Sequence, residues 1–90
     1  PPEAPRYPVH YRLLPPLSKG IISEHFYEMT SISLPDGNIE IRGYCDDPWE
    51  AGRLFLAYGE FCVVLGGDEV KGWMDKTILK MLENYQHLQK

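Results

Sequence analysis

Apolar and polar positions trade places every second residue in three stretches of this chain. From Pro8, Val9-His10-Tyr11-Arg12-Leu13 alternates in the manner of a half-buried strand. Thr30, Ile32 and Leu34 alternate with Ser31 and Ser33, and Ile39, Ile41 and Gly43 alternate with Glu40, Arg42 and Tyr44. Pro35-Asp36-Gly37-Asn38 separates the last two runs. Proline is preset for the first central position of a turn and glycine is free to take positive φ, so a hairpin is expected there. Between the first and second strands, Pro15-Pro16 could seed a helix with Leu17, Ile21 and Ile22 on one side. Gly20 lies inside it at a cost of about 1 kcal/mol relative to alanine.

The period then changes. Asp47-Pro48-Trp49-Glu50 reads as a helix start, with Asp47 as cap, Pro48 at the first helical position and Glu50 placed to complete a capping box. Ala51, Leu54, Phe55 and Tyr58 form one apolar stripe, and Gly59 stands where a left-handed residue ends a helix. Phe61-Cys62-Val63-Val64-Leu65 is a continuous apolar run, expected as a buried strand and broken by Gly66-Gly67. Asp68 is the expected cap of a last helix whose buried stripe is Val70, Met74, Thr77, Ile78, Met81 and Tyr85. The order is strand, helix, strand, strand, helix, strand, helix. It predicts an α+β fold of the ferredoxin-like βαββαβ type: a four-stranded antiparallel sheet, first and third strands central, helices on one face, and an extra C-terminal helix.

Ninety residues suffice for one domain, and 43% apolar with 24% charged residues is an ordinary globular balance. Residues 1–8 hold four of the eight prolines and read as a linker remnant, leaving 9–90 as the domain. Opening on Pro1 rather than Met, the chain is expected to be a piece of a longer polypeptide. A net charge of −4 argues against a nucleic-acid surface, and no apolar run reaches the ~20 residues of a membrane span. Cys45 and Cys62 lack zinc-site spacing and read as two reduced thiols of a cytoplasmic protein, so neither metal nor cofactor is expected.

No catalytic constellation emerges. Gly66-Gly67-Asp68-Glu69-Val70 looks like the GGDEF signature of diguanylate cyclases, but only twenty residues follow it and the last position is Val; a strand end with a capped helix is the plainer reading. Acylphosphatases share the element order, yet Leu14-Pro15-Pro16-Leu17-Ser18-Lys19-Gly20 lacks their phosphate-gripping arginine. His25 and His87 are placed at helix ends, Trp49 and Trp73 as anchors near helix starts, and Lys71, Lys76 and Lys80 on a solvated helix face. What remains is the open face of the sheet. If Val9, Tyr11, Leu13, Ile32, Leu34, Ile39 and Ile41 face the helices, then His10, Arg12, Glu40, Arg42 and Tyr44 face away. These five are the candidate ligand or partner residues, with an Arg12–Glu40 cross-strand pair as their simplest use.

Several segments together carry a family likeness. They are the Asp36-Gly37 turn, the Asn38-Ile39-Glu40-Ile41-Arg42 strand, the Asp46-Asp47-Pro48-Trp49-Glu50 helix start, Leu54-Phe55-Leu56-Ala57-Tyr58-Gly59, Cys62-Val63-Val64-Leu65 and Met81-Leu82-Glu83-Asn84-Tyr85. Over roughly residues 9–86 the chain resembles the C-terminal extension (WCX domain) that follows the WYL domain in bacterial transcription regulators. Gly66-Gly67 stands where members of that family often carry proline. The resemblance implies a parent with a winged helix-turn-helix reader, an adjacent WYL sensing domain and this non-enzymatic piece aiding homodimerisation, DNA being touched only by the N-terminal domain. A second likeness, to ACT domains that bind amino acids at paired interfaces, rests on Gly20 in the loop after the first strand.

Overall fold

The computed structural model describes residues 5–88. Four strands, β1 (Tyr7–Leu13), β2 (Tyr27–Ser33), β3 (Ile39–Cys45) and β4 (Cys62–Gly66), form one antiparallel sheet in the order β2-β3-β1-β4. Two helices, α1 (Pro48–Ala57) and α2 (Asp68–Leu88), complete the fold. The arrangement is α+β, with β1 and β3 central as expected, and it is consistent with a ferredoxin-like layout. The Cα trace spans 48 × 40 × 17 Å, the thickness of one sheet and one helical layer. Residues 1–4 of the expected linker lie outside the described residues, and Tyr7 and Pro8 already belong to β1.

Each boundary has a local cause. Asp47 Oδ1 accepts the Trp49 amide at 2.9 Å and Pro48 occupies the first turn of α1. Tyr58 closes that helix and Gly59 follows at φ +62°. In the hairpin turn, Asp36 Oδ1 accepts from the Asn38 amide at 3.0 Å, and the Leu34 amide donates to the Asn38 carbonyl at 2.8 Å.

Three expectations about loop, register and cap fail. First, residues 14–26 contain a single 3-10 turn (Leu17–Lys19) followed by irregular chain, not a helix. The apolar residues there are too few to hold a helical face: Ile21 is fully exposed, while Leu17, Ile22 and Phe26 tuck singly against the core. Second, Ile32 faces away from the helices. Ser33 pairs with Ile39 and Ser31 with Ile41, which turns Ile32 to the same side as Glu40. Leu34 falls in the turn beyond β2. Third, α2 begins at Asp68, so Gly67 occupies the cap position and accepts the Lys71 amide at 2.8 Å, while Asp68 and Glu69 lie in the positive first turn.

The core lies under the two central strands. Val9, Tyr11, Leu13, Ile41 and Cys45 of the sheet meet Ala51 and Phe55 of α1 and Val70 and Met74 of α2. Tyr11, Phe55 and Phe26 form a ring cluster with centroids 4.6 to 5.8 Å apart, so one aromatic side chain from the irregular loop takes part of the space of the missing helix. Where α1 and α2 touch, Gly52 lets the ring of Trp73 lie directly on the α1 backbone; a Cβ there would sit 2.2 Å from the ring.

Gly67 is held more tightly still. It has φ +84°, and a Cβ would fall 2.0 Å from the Pro8 carbonyl oxygen. Gly67→Ala should therefore cost about 2 kcal/mol or more in urea unfolding. Gly72→Ala, where a Cβ meets nothing within 4 Å, should be neutral or stabilising by up to about 1 kcal/mol. Equal effects of the two substitutions would contradict this packing.

Candidate functional site

The pleat of β1 and β3 sends His10, Arg12, Glu40, Arg42 and Tyr44 to the sheet face opposite the helices. Register sets Arg12 against Glu40, His10 against Arg42 and Pro8 against Tyr44. Three of the five converge. Glu40 Oε1 lies 2.5 Å from His10 Nε2 and its Oε2 accepts from Arg12 Nη2 at 3.3 Å, so one carboxylate braces two residues of the neighbouring strand. The hydrogen bond to His10 is the largest cause holding the Glu40 carboxyl below the usual carboxylate range; partial burial opposes it and Arg12 assists. Arg12 Nε is buried with no partner among the described residues. Ile32 and Val63, 64% and 47% exposed, flank this ionic row on the outer strands, where they pair with Glu40 and Arg12 respectively.

Arg42 and Tyr44 do not join the brace. Arg42 is exposed and forms no ion pair among the described residues. It borders a shallow basin of about 520 Å³ with His10, Tyr44, Thr30, Glu28 and the Gly66-Gly67 backbone. Glu28 owes its position to a bulge: three steps along β2, from Tyr27 to Thr30, match two along β3, and Glu28 takes φ +54°. The same bulge sets Tyr27 opposite Tyr44. The Tyr27 hydroxyl donates to Asp46 Oδ2 at 2.8 Å while the Arg6 guanidinium stacks 3.9 Å from the ring centroid. That hydrogen bond to Asp46 raises the Tyr27 pKa. Sequence patterning missed this corner because a bulge has no signature in alternation.

Other residues fall where the sequence did not put them. His25 lies in the irregular loop, not at a helix end, while His87 is in the last turn of α2. Trp73 is half-buried, but Trp49 is 51% exposed with the Arg53 guanidinium 4.7 Å from its ring. Gly20 has empty space about it and is not among the basin's residues. Cys45 and Cys62 are both free, and burial pushes the Cys62 thiol up to about 12. Among the described residues no group of three or more His, Cys, Asp or Glu side chains is placed to hold a metal, and no helix is long and apolar enough to cross a membrane.

The largest departure is in α2. Val70 and Met74 are buried, but every residue from 78 to 88 is exposed, including Ile78, Met81 and Tyr85 of the expected buried stripe. The helix reaches past the sheet, so the stripe runs out over nothing. Where it leaves the body, Met74, Ile78 and Met81 form one wall of an apolar groove of about 230 Å³. Phe55, Leu56 and Cys62 form the other.

The brace has a pH signature. A carboxyl whose folded pKa lies below its free value of 4.5 adds stability above that value, lost as pH falls through the folded pKa. Glu40→Gln should lower the urea midpoint at neutral pH and flatten its decline as pH falls below 4.5. An unchanged pH profile in the variant would show that the brace contributes nothing. No protein-family model, curated protein or solved structure matches this chain.

Proposed function

We propose that this chain is a regulatory and oligomerisation domain of the kind that follows the WYL domain in helix-turn-helix transcription regulators, with a ferredoxin-like sheet lacking its first helix. It works by contact in a cytoplasmic homodimer. Effector sensing in the adjacent WYL domain reaches the DNA-binding domain through the way this domain's surfaces meet their neighbours, and its own residues carry out no reaction.

One observation carries the reading. Eleven consecutive residues of α2, 78–88, are exposed, and six of them (Ile78, Leu79, Met81, Leu82, Tyr85 and Leu88) are large and apolar. Soluble domains scatter single apolar residues over their surface, whereas a contiguous apolar stretch continuing a buried stripe marks a contact surface. The sheet face supports the same reading from the other side. Its ionic cluster is mutually satisfied at Glu40, as suits a brace, and Ile32 and Val63 beside it suit a face that meets protein.

The basin on that face favours a second reading, a ligand-sensing domain similar to ACT domains. Arg42 could take a carboxylate and Glu28 an ammonium group, the two ends of an amino acid. Calorimetry with amino acids and nucleotides separates the two: saturable binding that Arg42→Ala abolishes favours sensing, and its absence favours contact alone.

In the parent regulator, deleting residues 9–90 should shift the monomer–dimer equilibrium toward monomer by about tenfold or more, read by sedimentation. An equilibrium indifferent to the deletion would refute the oligomerisation role.

A further inference from the structure

The uncovered half of α2 has a spacing that the general reading above does not use. Met74, Ile78, Met81, Tyr85 and Leu88 follow one another at intervals of four, three, four and three. This is the a/d seam by which one helix packs along another, knob into hole. The seam begins inside the domain, at buried Met74, and runs off the body without changing step. Neither a sheet edge nor an extended peptide presents side chains that match this period.

The residues beside the seam select the partner helix. Flanking positions decide pairing by charge, and like charges there repel a second copy. Here the flanks of residues 75–88 are Asp75, Thr77, Leu82 and Asn84; the one charge among them, Asp75, is paired with Lys71 at 2.9 Å within its own helix, so no unpaired flanking charge opposes self-pairing. The charged residues Lys76, Lys80 and Glu83 lie on the outer side, where Lys80 pairs with Glu83 at 3.4 Å within its own helix. Residues 75–88 carry two acids against two lysines. That balance lacks the basic excess by which an amphipathic helix holds an anionic lipid surface.

Orientation follows from the seam and the groove together. In an antiparallel pair each a position meets a d position of the other helix. Centring the pair at Glu83 stacks Ile78 on Leu88 and Met81 on Tyr85, each twice, and opposes the two helix dipoles. Leu88 of each copy then arrives at the other copy's Ile78, which lines the apolar groove of Phe55, Leu56, Cys62 and Met74. The helix tip thus meets a cavity of its own chemistry on the partner's body.

We infer that residues 75–88 of α2 pair antiparallel with the same segment of a second copy of this chain, about a two-fold axis at Glu83, each tip capping the other's groove. The inference rests on the oligomerisation reading and names its surface. With only four seam layers, the dimer should form at about micromolar to tens of micromolar concentration.

Sedimentation equilibrium of the purified chain and of two variants tests it. Met81→Lys and Tyr85→Glu change residues that are 41% and 65% exposed, so both should keep the wild-type circular dichroism. Each alone should weaken the dimer about tenfold or more, and an equimolar mixture should recover most of that loss. In the mixed pair the introduced lysine of one copy meets the introduced glutamate of the other, while the remaining Tyr85 meets the remaining Met81. A parallel pair sets position 81 against position 81, so its mixture only relieves like-charge repulsion and faces no lysine with a glutamate; failure of the mixture to recover most of the loss overturns the antiparallel pairing. A wild-type dimer untouched by either charge overturns the use of this surface while leaving oligomerisation through another. A chain monomeric at about 1 mM overturns the pairing outright, even if the parent's dimer still weakens when the domain is deleted.

Discussion

The contact on which this fold depends is the meeting of Tyr11, Phe26 and Phe55 beneath the middle of the sheet. Tyr11 stands on a central strand, Phe55 on the helix that crosses behind it, and Phe26 at the end of an irregular loop. Three rings join these three elements. Beside Phe26, the loop is held by Leu17 and Ile22 against the core and by Ser18, whose hydroxyl donates to the Gly37 carbonyl at 2.6 Å. The helical layer covers β1, β4 and the buried residues of β3, while the same face of edge strand β2 is left to Met29 and two exposed serines, Ser31 and Ser33.

Features with a local cause were legible in the sequence. Asp36 and Gly37 shaped the hairpin, Asp47 and Pro48 opened α1, and Gly59 stopped it, because each acts on backbone within four residues of itself. Strand order was legible too, since a hairpin flanked by two crossovers leaves few ways to lay down four strands. Failures came where the outcome depends on what lies across the gap. The Pro15-Pro16 segment had a plausible helix pattern but no apolar face wide enough to dock one. Ile32 went outward because the turn pairs Ser33 with Ile39. Alternation within a strand could not reveal that parity before its register was known.

The sheet face was half legible. Pleat alone placed His10, Arg12, Glu40, Arg42 and Tyr44 together, and the cross-strand pairing of Arg12 with Glu40 followed. The closer partner of Glu40 is His10, a diagonal neighbour that strand counting does not single out. Tyr27 and Glu28, and with them the hydrogen bond to Asp46, were out of reach, since a one-residue bulge in β2 sets their positions. For α2, the apolar period told which side of the helix is greasy and was silent on whether anything lies against it. The same pattern served both the buried first turns and the bare last ones.

The approach of Gly67 to the Pro8 carbonyl ties the foot of α2 to the beginning of β1 with no room for a side chain between them. A helix of twenty-one residues is about 31 Å long, so a tilt of a few degrees delivered to its foot by the chain entering at β1 becomes a displacement of an ångström or more at its far end. The backbone junction is where such a tilt would pivot, and the bare apolar tip is where it would be felt most.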